Sequence, residues 1–320
     1  MKVAFTICSN NYLAQAKTMC DSLLLHNSDY ETVICLCDTL HPEIDYTTFS
    51  PHKILEVAKL NIPGFKKMCS QYTVIELNTS IKPYACSYLL DAYPNADTVL
   101  YFDPDIQITA PLKTIEKDLE SSSIVLTPHI LFPIDFDGSE PTENLFTQYG
   151  IFNLGFLGLK RGKDAHDLLL WWSKRMAENC YIKPADGIFV DQLPMNYAPI
   201  FFNNVLISKN QGYNVAPWNL HERQVSKSDT FYKINEHWTL IFYHFSSLKK
   251  HNHILNSSQA YSRGVIPKDS AIYELYKNYT ESIHANGYEF FSKIPCALAK
   301  KEAAASLKQK IRRLASRVFS

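Results

Sequence analysis

The sequence is poor in several signals that mark common protein classes. It has only 10 glycines in 320 residues and lacks the GxGxxG, GxxxxGK[ST], HExxH and GxSxG patterns. Dinucleotide-binding, P-loop, zincin and α/β-hydrolase sites are therefore not indicated. No apolar run reaches the roughly 18 residues that span a bilayer, and Lys2 to Cys8 has the form of a strand, not of a signal peptide. We expect a protein that is cytoplasmic and either soluble or bound to a membrane surface.

Neither excess charge nor paired cysteines are present. The formal net charge is zero, so no nucleic-acid partner is predicted. The eight cysteines include no CxxC pair, and several lie within apolar runs. Buried, reduced thiols are predicted, which agrees with a cytosolic location.

The apolar patterning predicts one α/β domain with a mixed sheet. A strand at residues 2–8, a helix at 14–26 and a second apolar strand at 32–38 are typical of parallel βαβ units. Residues 51–95, which begin with KILEVAKLNI after Pro51, are predicted to be helical with an interruption at Pro63-Gly64. Later segments continue the alternation, with strands predicted near 97–102, 123–128 and 150–159 and a helix at 165–179.

Two aspartates follow the apolar strand in the sequence VLYFDPDIQI. Asp103 and Asp105 are two residues apart, so in an extended segment they project from the same side. Hard carboxylates bind Mg²⁺ or Mn²⁺ and leave coordination positions for diphosphate oxygens, while Pro104 stiffens the backbone between them. A solvated turn is the alternative interpretation, because Asp and Pro are common turn residues.

The order of these motifs resembles the GT-A fold glycosyltransferases, particularly those of family 8. The resemblance rests on the first strand, a helix with Lys82, YFDPD, GIFNLGFLGL, a VDQ segment and a late HF segment. It implies a Rossmann-like α/β fold with a mixed central sheet flanked by helices over residues 1–255. Residues 256–320 would form a C-terminal helical extension that ends in a basic amphipathic tail.

The resemblance also implies which residues hold the nucleotide and the metal. Thr6, Ser9 and Tyr12 in FTICSNNY would lie near the base and ribose, where polar residues after a buried strand commonly bind ligands. Lys82 would help to hold the donor. His244 would join Asp103 and Asp105 as a metal ligand, and Lys250 would contact the diphosphate, with Lys249 as the alternative. The family's Gly after the aromatic residue and its Pro-Trp after the lysine are absent here.

Three further residues are assigned to the sugar side of the site by the same resemblance. Asn153 in GIFNLGFLGL would hydrogen-bond the donor sugar, and Asp191 and Gln192 would reach the transferred sugar or the acceptor. The alternatives are a strand bulge around the glycines and a helix cap by Asp191. The later GYNVAPWNLHER segment contains Asn214, Trp218, Asn219 and His221, which suit a sugar-binding loop without an assigned role.

The function predicted from these residues is glycosyl transfer assisted by Mn²⁺ or Mg²⁺. The expected donor is a UDP-sugar, with a GDP-sugar as the less favoured choice. The expected acceptor is a hydroxyl of a glycan or glycolipid. Family 8 enzymes retain the anomeric configuration; if this one inverts, Asp191 is the first candidate for the general base. An inactive sugar-nucleotide-binding scaffold and a sugar nucleotidyltransferase are the alternatives, and the second lacks its usual glycine-rich loop.

The C-terminal tail predicts contact with an anionic membrane. From Lys300 onward there are seven basic residues and one acid, and apolar residues recur at helical spacing. The apolar positions are Leu307, Ile311, Leu314 and Val318. A basic amphipathic helix of this kind can lie on an anionic lipid surface, so we expect peripheral association with the inner face of the membrane. A helix packed on the domain is the alternative.

Overall fold

The structure is a computed structural model that describes residues 1–228, 231–246, 248 and 266–300. Its strands are β1 (Lys2–Cys8), β2 (Tyr30–Leu36), β3 (Lys53–Glu56), β4 (Thr98–Phe102), β5 (Ile106–Ile108), β6 (Ile124–Leu126), β7 (Phe156–Lys160), β8 (Ile182–Lys183), β9 (Ile188–Phe189), β10 (Val205–Ile207), β11 (Val225–Lys227), β12 (Tyr232–Ile234), β13 (Trp238–Thr239) and β14 (Phe242–His244). Its α-helices are α1 (Leu13–His26), α2 (Phe65–Gln71), α3 (Val74–Ser80), α4 (Lys82–Ala92), α5 (Lys113–Ser121), α6 (Glu143–Tyr149), α7 (Lys163–Glu178), α8 (Ala198–Phe201), α9 (Ala271–Ala285) and α10 (Tyr288–Phe291).

A seven-stranded sheet forms the centre, with strand order β10-β6-β7-β4-β1-β2-β3. The strand β7 is antiparallel to both of its neighbours, and the other pairs are parallel. The strand β1 is buried almost throughout, as expected for a central strand covered by helices on both faces. The predicted βαβ arrangement of β1, α1 and β2 is confirmed.

A two-stranded antiparallel ribbon beside this sheet joins distant parts of the chain. The strands β5 and β14 pair so that His244 lies opposite Ile106, immediately after the second aspartate of the DPD sequence. The backbone N–H of Phe245 donates to the carbonyl of Asp105 at 2.8 Å. This ribbon therefore brings the late HF segment to the end of β4.

The helical prediction for KILEVAKLNI is wrong at its start. Lys53–Glu56 is the edge strand β3, which pairs in parallel with β2 over Val33 to Leu36. Periodicity cannot distinguish a strand from a helix in such a short apolar run. Here the segment forms a strand because it pairs with the edge of the sheet at β2. Residues 57–60 form a 3₁₀ turn, and α-helix begins only at Phe65.

The C-terminal residues 266–300 pack on the domain through α9 and α10. The Phe245 ring stacks on Tyr279 with centroids 3.8 Å apart, and the hydroxyls of Tyr243 and Tyr276 are 3.0 Å apart. Two helices therefore occupy part of the predicted extension, and residues 292–300 are irregular. The predicted domain boundary at residue 255 and the tail from 301 to 320 lie outside the described residues.

All eight cysteines are free thiols and six of them are buried, in agreement with the sequence prediction. Among the described residues, none of the helices has the length and apolar character needed to cross a membrane.

Candidate active site

The DPD sequence forms a tight turn between β4 and β5, and its backbone is fixed on two sides. The N–H of Asp103 donates to the carbonyl of Gly155 at 2.7 Å, and the N–H of Ile106 donates back to Asp103 at 3.1 Å. The carbonyl of Asp105 accepts from Phe245. Both carboxylates therefore project from a rigid turn at the carboxyl end of a central strand, where open α/β sheets bind ligands.

Asp103, Asp105 and His244 form a compact group of potential metal ligands. Their ligand atoms all lie within 4.8 Å of one another, with the His244 Nε2 3.1 Å from Asp105 Oδ1 and 3.8 Å from Asp103 Oδ2. Burial alone would raise the pKa of the Asp105 carboxyl, but the adjacent His244 outweighs it and holds that pKa below its usual range. Two carboxylates and one imidazole are a suitable ligand set for Mn²⁺ and an acceptable one for Mg²⁺.

Lys82 is a buried cation that connects Asp103 of the DPD sequence with Asp191. Its ammonium is 2.7 Å from Asp191 Oδ2 and 3.4 Å from Asp103 Oδ1, and it donates to the carbonyl of Leu154 at 2.8 Å. Burial favours the neutral amine, yet the two carboxylates outweigh this and raise its pKa. It also lies over the Tyr101 ring, whose hydroxyl donates to Asp103. Lys82 therefore holds Asp103 and Asp191 together and stays charged.

Asn153 and Gln192 meet in a buried amide network. The Asn153 amide donates to Gln192 Oε1 at 3.2 Å, and its carbonyl oxygen accepts from the N–H of Gly155 at 3.0 Å. The Gln192 amide nitrogen donates to the carbonyl of Tyr149 at 2.7 Å. His129 Nε2 lies 3.3 Å from the Asn153 amide nitrogen, and burial lowers the pKa of His129 to about 4. A neutral His129 can accept that bond, so most of the network's hydrogen-bonding capacity is used internally.

Asn214 links this network to His244. Its side-chain oxygen lies 3.3 Å from His244 Nδ1, and its amide nitrogen donates to Asn153 Oδ1 at 2.9 Å. The contact favours a proton on Nδ1 and leaves Nε2 free towards the two aspartates. Asn214 has φ of 51°, a left-handed conformation that Asn tolerates better than most residues.

A buried ion pair fixes the backbone of the GYNVAPWNLHER loop, which contains Asn214. The Arg223 guanidinium donates to the carbonyl of Tyr213 at 2.6 Å and pairs with Glu222 at 3.1 Å. The Glu222 carboxylate also accepts from the N–H groups of Leu131 and Phe132. The pair therefore ties the GYNVAPWNLHER loop to the segment after β6.

We expect Asn214→Ala to weaken Mn²⁺ binding by about 10- to 100-fold, because partners that orient a metal-binding histidine have effects of that size. Asn235→Ala is the matched control, since Asn235 also has a left-handed backbone (φ 50°), but its side chain hydrogen-bonds Gln224 and Gln211 and not His244. Both variants should lose similar stability in urea. Calorimetric Mn²⁺ titrations that show equal losses in the two variants would contradict the role given to Asn214.

One cleft of about 550 Å³ is lined by the metal group, by the lysine and its other acidic partner, and by the buried amides, namely Asp103, Asp105, His244, Lys82, Asp191, Asn153 and Gln192. Charged side chains gather around the DPD turn, and five aromatic side chains that we call the aromatic wall line the same cleft. The wall consists of His129, Phe146, Tyr149, Phe189 and Trp218. Val190, next to Asp191, has φ of 34°, which is unusual for a β-branched residue and is typical of strained backbone at functional sites.

The residues predicted for the nucleotide are only partly in this cleft. Tyr12 lines it. Thr6 is fully buried within β1, and Ser9 is buried in contact with the carbonyl of Cys37 and the side chain of Asn78. Their roles therefore stay predictions. Lys250, like its alternative Lys249, lies outside the described residues.

Asp191 is placed in the cleft and does not cap a helix through its side chain; its carboxylate pairs with Lys82. The structure also adds residues that the sequence did not indicate, chiefly His129 and Tyr101. His129 lies three residues after the end of β6, so its position shortly after an apolar strand was a signal of the kind that identified the aspartates.

Sequence comparison finds relatives without an assigned activity. The chain is 26% identical to the uncharacterised protein YfnF of Bacillus subtilis (strain 168) over 245 residues, which cover 76% of this chain and 80% of that protein. It is 24% identical to YfnD of the same organism over 244 residues, 75% and 76% of the two chains. No protein-family model matches the chain.

Solved structures with a similar fold are glycosyltransferases. The galactosyltransferase LgtC, in complex with donor and acceptor sugar analogues, aligns with a TM-score of 0.55 and 17% identity over 89% of this chain and 96% of that one. The bifunctional glycosyltransferase WbbM aligns with a TM-score of 0.52 and 12% identity, over 91% of this chain and 51% of that one. The predicted GT-A fold is thereby confirmed, together with the Asp-Asp-His group that lies in it; membership of family 8 stays a prediction.

Proposed function

We propose that the protein is a metal-dependent glycosyltransferase that moves a sugar from a UDP-sugar to a hydroxyl of a glycan or glycolipid. The observation that carries this proposal is the convergence of Asp103, Asp105 and His244 in a cleft of a GT-A fold. Glycosyltransferases with the same fold support a transferase activity.

The three side chains would hold Mn²⁺ or Mg²⁺. Their fit is supported by their spacing and by the three carboxylates that line the described cleft, of which Lys82 pairs with two, Asp103 and Asp191. When bound, the cation supplies positive charge to the departing diphosphate. Lys82 keeps the Asp103 carboxylate in place through its own ion pair. Tyr12 lies at the same cleft and is suited to pack against the nucleoside.

We propose that transfer retains the anomeric configuration. Inversion needs a general base, and the carboxylates that line the cleft within the described chain are Asp103, Asp105 and Asp191. The first two belong to the metal group. One Asp191 oxygen is engaged 2.7 Å from the Lys82 ammonium, and this contact partly offsets the burial that raises the pKa of the Asp191 carboxyl. Asp191 and Gln192 are instead suited to border the anomeric centre, with Asn153 holding Gln192 in position.

The proposal is tested by calorimetric titration of UDP into the protein with and without Mn²⁺. Saturable UDP binding that requires Mn²⁺ is expected, and UDP-sugars should then release UDP in the presence of a suitable acceptor. GDP in place of UDP tests the base preference. The donor-site interpretation fails if neither nucleotide binds in the presence of Mn²⁺.

We also propose that the tail from Lys300 brings the enzyme to anionic membranes that carry a lipid-linked acceptor. Each Lys or Arg near such a surface contributes about 1 kcal/mol. A chain ending at residue 300 should therefore bind vesicles with phosphatidylserine at least about tenfold more weakly than the full chain, with UDP affinity as the control for folding. Equal vesicle binding by both chains would refute this proposal.

A further inference from the structure

The indole N–H of Trp218 is a buried donor that lacks a partner. Trp218 lines the cleft and is 6% exposed, and its Nε1 makes no hydrogen bond within the described part of the chain. An unpaired buried donor costs about 1–3 kcal/mol, and such groups are usually satisfied by a ligand or an ordered water. At the wall of a candidate active site, a ligand oxygen is the partner that explains it.

The Trp218 ring is held rigidly beside the proposed metal group. Its centroid lies 5.2 Å from that of His244 and 5.4 Å from that of His129. The short turn that carries it is closed by Asn219, which accepts from the N–H of Ala216 at 2.9 Å and donates to the carbonyl of His129 at 3.0 Å. The indole ring is therefore fixed beside the proposed metal group, at the wall of the cleft that would hold the sugar.

The buried amide side chains of the cleft are already occupied. Asn153 bonds to Gln192, to Asn214 and to the backbone of Gly155, while Gln192 also bonds to Tyr149. Among buried side-chain donors that line the described cleft, the Trp218 N–H is the one left unpaired. It is thus the group best placed to discriminate between sugars by a hydrogen bond.

The charges of the cleft disfavour an acidic sugar. Lys82 is the one lysine or arginine that lines the described cleft, and Asp191 and Asp103 already surround it. His129 is neutral near pH 7, since burial lowers its pKa to about 4. A sugar carboxylate would find no lysine or arginine in the described cleft that is not already paired, whereas the apolar face of a neutral pyranose suits the aromatic wall.

On the basis of the proposed function, we propose that the cleft takes an uncharged donor sugar and that Trp218 determines its specificity by donating its N–H to a sugar oxygen. Trp218→Phe keeps most of the aromatic surface and removes this donor. It should weaken binding of the preferred neutral UDP-sugar about tenfold, the size expected for one buried hydrogen bond. The affinity for UDP itself should not change.

The experiment measures UDP, UDP-glucose, UDP-galactose, UDP-N-acetylglucosamine and UDP-glucuronate by calorimetry with Mn²⁺, in the wild type, Trp218→Phe and the control Trp171→Phe. Trp171 lies on α7 away from the cleft. We expect a neutral sugar to bind best, UDP-glucuronate to bind more weakly than UDP-glucose, and the ratio of UDP-sugar to UDP affinity to fall only in Trp218→Phe.

Three results would overturn this assignment. Tightest binding of UDP-glucuronate would refute the neutral sugar, and an unchanged ratio in Trp218→Phe would refute the hydrogen bond. Equal losses for UDP and UDP-sugars would show that the variant acts through packing alone. If wild-type protein does not bind UDP at all, the donor site itself is wrong, and the sugar assignment falls with it.

Discussion

Asp105→Ala should abolish Mn²⁺-dependent UDP binding, with a loss of at least about 100-fold in affinity, or about 2.8 kcal/mol. Asp105 supplies one of three potential ligand atoms, and its carboxylate is 3.1 Å from His244 Nε2. Its removal leaves a cation with one carboxylate and an imidazole. The charge that attracts the divalent ion falls at the same time. Calorimetry of UDP with and without Mn²⁺ gives the affinity directly.

Asp105→Asn separates charge from shape, because the amide keeps the size and one ligand oxygen. It should lose less affinity than Asp105→Ala but more than the control Asp186→Ala, whose exposed side chain lies outside the cleft. UDP binding without Mn²⁺ should be similarly weak in all of these proteins. If Asp105→Ala keeps wild-type affinity for UDP and Mn²⁺, the DPD sequence is an ordinary turn and not a metal site.

The local sequence pattern was sufficient to place a site residue where a single strand determines its position. The two aspartates follow a buried apolar strand, so the sequence alone placed them at the carboxyl edge of the sheet. His244 needed the resemblance as well, because only the pairing of β14 with β5 brings it to the aspartates. The helical prediction at Lys53 was wrong because the neighbouring strand β2 determines the structure of that short segment.

The partners of polar side chains could not be predicted from sequence. Lys82 was expected to hold the donor, and the structure shows it buried between Asp191 and Asp103. Asn153 and Gln192 were expected to reach sugar, yet both amides are largely engaged with each other and with backbone. Such bonds depend on distances between segments far apart in the chain, which residue patterns do not encode. The sequence identified the candidate residues. It did not show which of them position other side chains of the site and which remain available to bind a ligand.

Gly155→Ala should damage the site more than its one added methyl group suggests. A Cβ at Gly155 would lie 2.6 Å from His244 Cε1 and 2.7 Å from both His244 Nδ1 and Asn153 Oδ1. These side chains are buried and hydrogen-bonded to Asn214, so neither can move aside without breaking that network. We expect a loss of about 2–4 kcal/mol in the free energy of unfolding, around the upper end of the roughly 1–3 kcal/mol typical of overpacked cores, and at least about 100-fold weaker Mn²⁺ binding.

Gly158→Ala, three residues further along and within β7, provides the matched control. Its Cβ would lie 3.3 Å from Val125 Cβ and 3.4 Å from Phe156 Cζ, contacts that small side-chain shifts can relieve. Urea unfolding should show a smaller loss, and Mn²⁺ titration should show wild-type affinity. If both variants lose stability but keep Mn²⁺ affinity, His244 is not a ligand, because its imidazole cannot stay in place beside the new methyl group. If only Gly155→Ala loses Mn²⁺, the glycine is required because the metal-binding histidine occupies the space that any side chain would need.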